Sequence, residues 1–357
     1  VTEQSAIEVN EGNLHLARSR MYSLFSSLFL DGITEQNLHQ LRQIEGLADG
    51  WVDRVNRDEA AAIHFDLFQF QVTPYESLFL GDSGMVGGSF AESVMHFSHR
   101  AGCETDSQEF SFDHVGVELK ILSRLCLAAQ LAASRKSETE LQQAELAQQA
   151  FLQAHLLQWI HPLVVAISDQ PVPFFPELAG LLLELVHSHA ESLQQKWNTL
   201  PDNAASSTAG GPDSTVGYKE GESGIQAKTG FVSDDQTGLR EIARWLAMPC
   251  LCGAFLDKRT IAAIGRQTGL PAGFGGRQDM LENLFQAAAQ YSEFPKLVSA
   301  LKTQIAANEN AIRGYAESWP VSQHYAEKWI QLLSATRLNL DEMVTLAGQN
   351  DAAGLKS

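Results

Sequence analysis

The chain has 357 residues, 44% of them hydrophobic and 19% charged, and carries a formal net charge of −18. An ordinary apolar fraction over this length excludes a disordered chain and suits roughly two domains. No run approaches the ~18 apolar residues of a membrane span, so no stable membrane insertion is expected. Cys103, Cys126, Cys250 and Cys252 are the only cysteines; they form no disulfide framework and suit a reducing cytosol. The opening VTEQSAIEVNEGN has no basic region followed by an apolar run, so no signal peptide is expected and the expected location is cytoplasmic.

The charge is unevenly placed. Residues 1–200 hold 11 Lys and Arg against 26 Asp and Glu, a net of −15, while residues 201–236 carry −4 and residues 237–357 carry +1. Such an acidic first half argues against nucleic acid, whose affinity comes from neutralising phosphates with Lys and Arg. It attracts a cationic partner, such as a basic peptide.

In chain order, helical spacing starts at Leu14 and runs through Phe29 to an Asp31-Gly32 breaker. Thr34 then caps a helix carrying Leu38, Leu41 and Ile44, and a strongly apolar helix is expected over residues 58–70. Residues 71–88, QVTPYESLFLGDSGMVGG, contain Pro74 and four glycines and are expected to form a structured loop. Ser89 with Glu92 predicts a capping box for a helix through Ala101. One long helix is expected over residues 138–160, kinked or ended by His161-Pro162, and another over 174–197 with Pro176 in its first turn.

No stretch alternates with period 2 and no fixed repeat stands out, so the fold class expected is all-α. Residues 201–236 are rich in Gly, Ser, Thr and Asp and are expected to be a flexible linker. Helices then resume over 239–246, 257–268 with Asp257 as cap, 278–289, 295–319, 321–336 and 340–347. The domain division expected is a helical domain over 1–200, the linker over 201–236 and a C-terminal helical extension or small domain over 237–357.

Residues 107–130, SQEFSFDHVGVELKILSRLCLAAQ, are the stretch around which the first half is organised. Asp113 occupies an N-cap position, and Val117, Ile121, Leu122, Leu125 and Ala128 form a buried stripe. An acid and an imidazole at a helix start, with Glu118 one turn beyond His114, mark a binding or catalytic site; the plainer alternative is a capping Asp beside an exposed His.

Two segments carry a resemblance. Pro74-Tyr75-Glu76-Ser77-Leu78-Phe79-Leu80 resembles the loop, and Asp113-His114-Val115-Gly116-Val117-Glu118-Leu119 the helix start, that occur in this order in the TorD/DmsD family of molybdoenzyme maturation chaperones. The spacing agrees, and weaker similarities lie in residues 20–29 and in Phe151-Leu152, His155-Leu156 and Trp159, so the resemblance covers about residues 14–197. Phe110, Ser111 and Phe112 stand where the family often has Glu-Pro and a further acid. The pattern of residues 269–285 is similar to longer relatives.

The resemblance implies a non-enzymatic cytoplasmic chaperone with a TorD-like helical bundle. It implies binding of the twin-arginine signal peptide, and of the body, of a molybdoenzyme catalytic subunit while its cofactor is inserted. Tyr75 would then pack on the apolar part of the leader, with Ser77 and Phe79 in the same binding loop; the plainer alternative is that Tyr75 and Phe79 plug the core and Glu76 caps or pairs locally. Glu76, Asp113 and Glu118 would receive its arginines, and His114 would orient Asp113 or line the pocket. The acidic surface complements such a leader independently. The alternatives are a hydrolase or nucleotide-dependent enzyme using Asp113, His114 and Glu118, and a generic helical scaffold. An open apolar groove beside Tyr75 and Asp113 is expected of the chaperone, and a closed polar pocket with a perturbed His114 of the enzyme.

The remaining candidates are weaker. Cys250 and Cys252 have no second pair and no nearby His, so buried thiols are expected rather than zinc. Residues 269–277, GLPAGFGGR, lack the phosphate-loop lysine; Arg277 at a helix start would suit the phosphate of a nucleotide or molybdopterin, and no cofactor is otherwise expected. His187 and His189 point to different faces of a helix. The oligomeric state expected is a monomer or a domain-swapped homodimer.

Overall fold

The structure, a computed structural model, describes residues 3–44, 50–54, 56–103, 109–198 and 238–354. Among them every regular element is helical, and the one β-type pairing is an isolated bridge between Tyr75 and His114. The expected linker, 201–236, lies outside the described residues.

Helix α1 (Glu3–Leu30) stops at Asp31-Gly32, where Gly32 turns the chain at φ 71°. Helix α2 (Glu35–Leu41) opens with a capping box: the Asn37 N–H donates to the Thr34 hydroxyl, and the Thr34 N–H donates to the Asn37 side chain. The short α3 (Trp51–Arg54) leads to α4 (Arg57–Phe65), capped by Asn56. Residues 58–70 are not one α-helix, because α4 widens into a π-helix, Asp66–Gln71. Residues 71–88 are not all loop either, since they contain α5 (Glu76–Leu80).

Helix α6 (Ser89–Arg100) lacks the expected capping box: Gly88, at φ 66°, is its N-cap and Ser89 is already helical. Helix α7 (Val115–Ser134) lies antiparallel on α1, with the Ser26 hydroxyl donating to the Gly116 carbonyl and the Ser123 hydroxyl to that of Ser19. Close approach near Gly116 is needed, because a Cβ there would fall 2.6 Å from Leu30 Cγ.

The helix expected over 138–160 is two, α8 (Glu138–Ala154) and α9 (Leu156–Ser168), which meet at 53° where His155 takes φ −121° and ψ −90°. The break falls at His155 and not at Pro162, which sits inside α9. Proline removes the N–H that would bond the carbonyl four residues back, here that of Gln158. That carbonyl instead accepts the indole N–H of Trp329 at 2.8 Å, so no backbone acceptor is orphaned and the helix continues.

Helix α10 (Phe175–Asn198) completes the first half. The second half contains α11 (Leu239–Ala247), α12 (Pro249–Cys252), α13 (Lys258–Thr268), α14 (Arg277–Gln290), α15 (Phe294–Ser318), a 3-10 turn (Pro320–Ser322) and α16 (Gln323–Gly354). Asp257 caps α13 as expected, accepting from the Arg259 and Thr260 N–H groups. The two helices expected over 321–336 and 340–347 are one, α16, since nothing between Thr336 and Leu340 breaks a helix.

Buried side chains of the two halves form one continuous cluster that includes Phe79, Trp159, Phe255 and Trp329. Among the described residues no single helix is long and apolar enough to cross a membrane; the bent pair α8 and α9 passes on length and composition only, and the apolar residues of α9 belong to this core.

Candidate functional site

The motif loop and the start of α7 are stitched together by backbone. The Val115 N–H donates to the Pro74 carbonyl at 2.9 Å, and the Glu76 N–H to the Asp113 carbonyl at 2.8 Å. A five-residue helix such as α5 cannot repay its own nucleation, so its start needs outside support. Asp113 provides it, with Oδ2 accepting the Ser77 N–H at 3.1 Å. The Ser77 hydroxyl in turn accepts the Gly87 N–H at 3.0 Å, closing the loop on itself.

Asp113 is therefore not the N-cap of α7. That position belongs to His114, whose Nδ1 accepts the Gly116 N–H at 3.0 Å. An accepting Nδ1 carries no proton, which fixes the neutral tautomer with hydrogen on Nε2. Burial pushes His114 down to about 3, in keeping with that neutral cap. The half-buried Tyr75 stands edge-on to His114 at 4.8 Å, and Phe110 lies on the imidazole at 5.0 Å.

Beneath this rim sit three carboxyl groups, Glu76, Asp113 and Glu118, all buried. Glu76 Oε2 bonds His155 Nδ1 at 3.0 Å. Burial, reinforced by Glu76 and Asp113 nearby, holds the Glu118 carboxyl well above the usual range and favours its neutral form. Neither Glu118 oxygen, nor Asp113 Oδ1, His155 Nε2 or Trp159 Nε1, has a hydrogen-bond partner of ordinary geometry. Buried polar atoms left unpaired are costly, and in a native fold they mark strain or function.

Tyr75, Glu76, Ser77, Asp113 and His114 are thus brought into direct contact, and Glu118 adjoins Glu76 and Asp113. Phe79 points elsewhere, into the core between Trp159 and Phe255 at 5.2 and 4.8 Å. Sequence reasoning left His155 and Trp159 out of the site, although their i,i+4 spacing puts both on one face of α9. It missed Phe255 altogether, which comes from a distant segment with no local signal.

The groove expected beside Tyr75 and Asp113 is not open, because α5 and Phe79 seal it and Asp113 is fully buried. Cavities of about 370 and 200 Å³ lie elsewhere, one between α15 and α16 beside Lys302 and Arg337, the other beside Leu157 and Tyr325. The perturbed His114 does not serve an acid–base unit, since Nδ1 is committed to a backbone cap and Asp113 to Ser77.

The other candidates resolve as follows. Cys250 and Cys252 are buried thiols pushed up to about 12 and about 11 by burial. Among the described residues no group of three or more His, Cys, Asp or Glu is placed to hold a metal ion. Arg277 does not face outward toward a phosphate: its guanidinium lies 4.1 Å over the Phe255 ring, and burial lowers it to about 10. His189 bonds Tyr22 and Gln148, whereas His187 lies against His161 and Trp319, so the two do face different surroundings.

Comparison with known proteins points the same way. Residues 26–165 match the family described as nitrate reductase delta subunit. The chain is 26% identical over 171 residues to the chaperone protein TorD of Vibrio parahaemolyticus, covering 40% of this chain and 78% of the relative. With that of Vibrio atlanticus it is 26% identical over 196 residues, 46% of this chain and 89% of the relative. No solved structure matches the chain. Both motif segments fall inside the matched region, so residues 26–165 are similar to the nitrate reductase delta subunit family, and a comparable share of the chain is similar to chaperones named TorD.

Proposed function

We propose that this chain is a chaperone that acts in the cytoplasm on the twin-arginine leader of a molybdenum-containing oxidoreductase subunit, with residues 1–200 as the binding domain and residues 237–357 as an extension. The observation that carries the reading is the buried cluster of three carboxyl groups, Glu76, Asp113 and Glu118, which crowd one another and leave Asp113 Oδ1 without a partner. A guanidinium offers five N–H donors in a planar fork that matches carboxylates, and two consecutive arginines would satisfy these acceptors. Tyr75 at the rim and Phe79 below it offer aromatic surface to the apolar run that follows the arginines, while Ser77 and His114 hold the loop. Because the trio is closed, entry requires α5 to lift. The acidic balance of residues 1–200 favours encounter with a basic segment.

Calorimetric titration with a synthetic twin-arginine leader at two salt concentrations tests this. Saturable binding that weakens with salt, and weakens again in Asp113→Asn and Tyr75→Ala, is the expected result. No binding to several such leaders, with the chain and both variants folded by circular dichroism, removes the leader from the account.

A further inference from the structure

The second half of the chain is anchored on the very segment that carries the leader-binding motif. Phe79, the buried ring of α5, is stacked on Phe255 at 4.8 Å and 18°. The opposite interaction of Phe255 is with Arg277, whose guanidinium lies 4.1 Å from the ring centroid. At the C-terminal end of α5 the Cys250 thiol donates to the Gly81 carbonyl at 3.1 Å. Upstream, Asp66 of the π-helix is paired with Arg259. The Trp329 indole fills the hydrogen-bonding gap that Pro162 leaves in α9, the helix that carries Trp159 against the other side of Phe79. Four separate contacts from residues 238–354 thus hold this region, two on the motif loop, one on the π-helix before it and one on the helix beneath it.

Meanwhile the carboxyl groups of Glu76, Asp113 and Glu118 lie closed under α5, with Asp113 Oδ1 unpaired. Lifting α5 exposes them, and it cannot lift without breaking the Phe79–Phe255 stack and the Cys250–Gly81 bond. We infer that the C-terminal helices are a built-in cover for the motif loop, which a leader displaces from Phe79 and Gly81 when it binds. This rests on the leader reading above and adds its regulation: the cover and the leader compete, so loosening one strengthens the other. The cover also gives the buried trio a reason to be closed in the free chain, since an open acidic apolar groove would capture any basic peptide.

The experiment uses the full chain and a synthetic peptide with two consecutive arginines followed by an apolar run. Leader affinity is measured for the unmodified chain, Phe255→Ala and the milder Phe255→Leu, with folding checked by circular dichroism. In parallel, Cys250 is followed by N-ethylmaleimide labelling and peptide mass spectrometry with and without saturating leader. The cover predicts that leader speeds labelling of Cys250 at least ~10-fold, as burial is relieved. It predicts that Phe255→Ala binds leader roughly threefold to tenfold tighter, the size of one aromatic pair, with Phe255→Leu shifted the same way. Equal affinity of all three chains with Cys250 still protected overturns the cover and leaves the leader reading standing. Failure of all three folded chains to bind any leader overturns both.

Discussion

Four imidazoles buried without charge should make this protein acid-labile, and the size of the effect follows from the structure. His114 and His161 are held down to about 3 by burial, and His187 to about 4; His189 is also pushed well below its ordinary value. His161 and His187 lie ring to ring at 5.0 Å with all four nitrogens unpaired. As pH falls through the unfolded value near 6.5, the unfolded chain takes up protons that the folded chain refuses. Stability is therefore fully present above about 6.5 and is lost below it. At about 1.4 kcal/mol per unit, each imidazole held near 3 costs roughly 2 kcal/mol at pH 5. Together His114, His161 and His187 remove roughly 6 kcal/mol, a large part of a typical stability of about 5–15 kcal/mol. Glu118 works in the opposite sense, because its raised carboxyl favours folding at the acid end of its range. The measurement is urea unfolding at pH 7, 6 and 5 in Glu118→Gln, alone and combined with His161→Leu and His187→Leu. The double histidine change should flatten the acid loss by about half, since two of the four imidazoles are gone. An acid loss under about 1 kcal/mol in Glu118→Gln, or a slope the histidine changes do not move, refutes the reasoning.

Glu118→Gln by itself should raise stability progressively as pH rises above the ordinary carboxylate value of 4.5, because holding the carboxyl neutral in the fold costs more at each higher pH; thermal melts from pH 5 to 9 read this out. Trp329→Phe should cost about 1–3 kcal/mol by orphaning the Gln158 carbonyl, and Pro162→Ala, which restores a local N–H donor, should recover part of that loss in the same chain. A denaturant double-mutant cycle in which the two changes simply add would contradict that pairing. Gly116→Ala should destabilise by about 1–3 kcal/mol through overpacking, because its Cβ meets Leu30 Cγ at 2.6 Å. Leu30→Ala should tolerate Gly116→Ala far better than the parent chain does, measured by the shift in unfolding midpoint.

The sequence by itself determined the all-helical class, most helix positions and the pairing of two motif segments. These depend on local signals: 3.6-residue apolar spacing, the Thr34 and Asp257 caps and the Asp31-Gly32 stop. Three of its errors share one cause. Asp113 looks like a cap for the helix that follows it, yet it caps α5 from outside, because that choice depends on which helix lies across from it in space. Pro162 looks like a helix breaker, yet α9 runs through it, because Trp329, 167 residues later in the chain, supplies the missing donor. Whether Glu76, Asp113 and Glu118 face solvent or lie buried is likewise invisible to periodicity, since burial of α5 is completed by Phe255 from the second half. Local sequence sets the backbone's preferred states, but desolvation and hydrogen-bond satisfaction are properties of the assembled core. Only the tertiary structure decided which of these polar groups are paired and which are held in reserve beneath the loop.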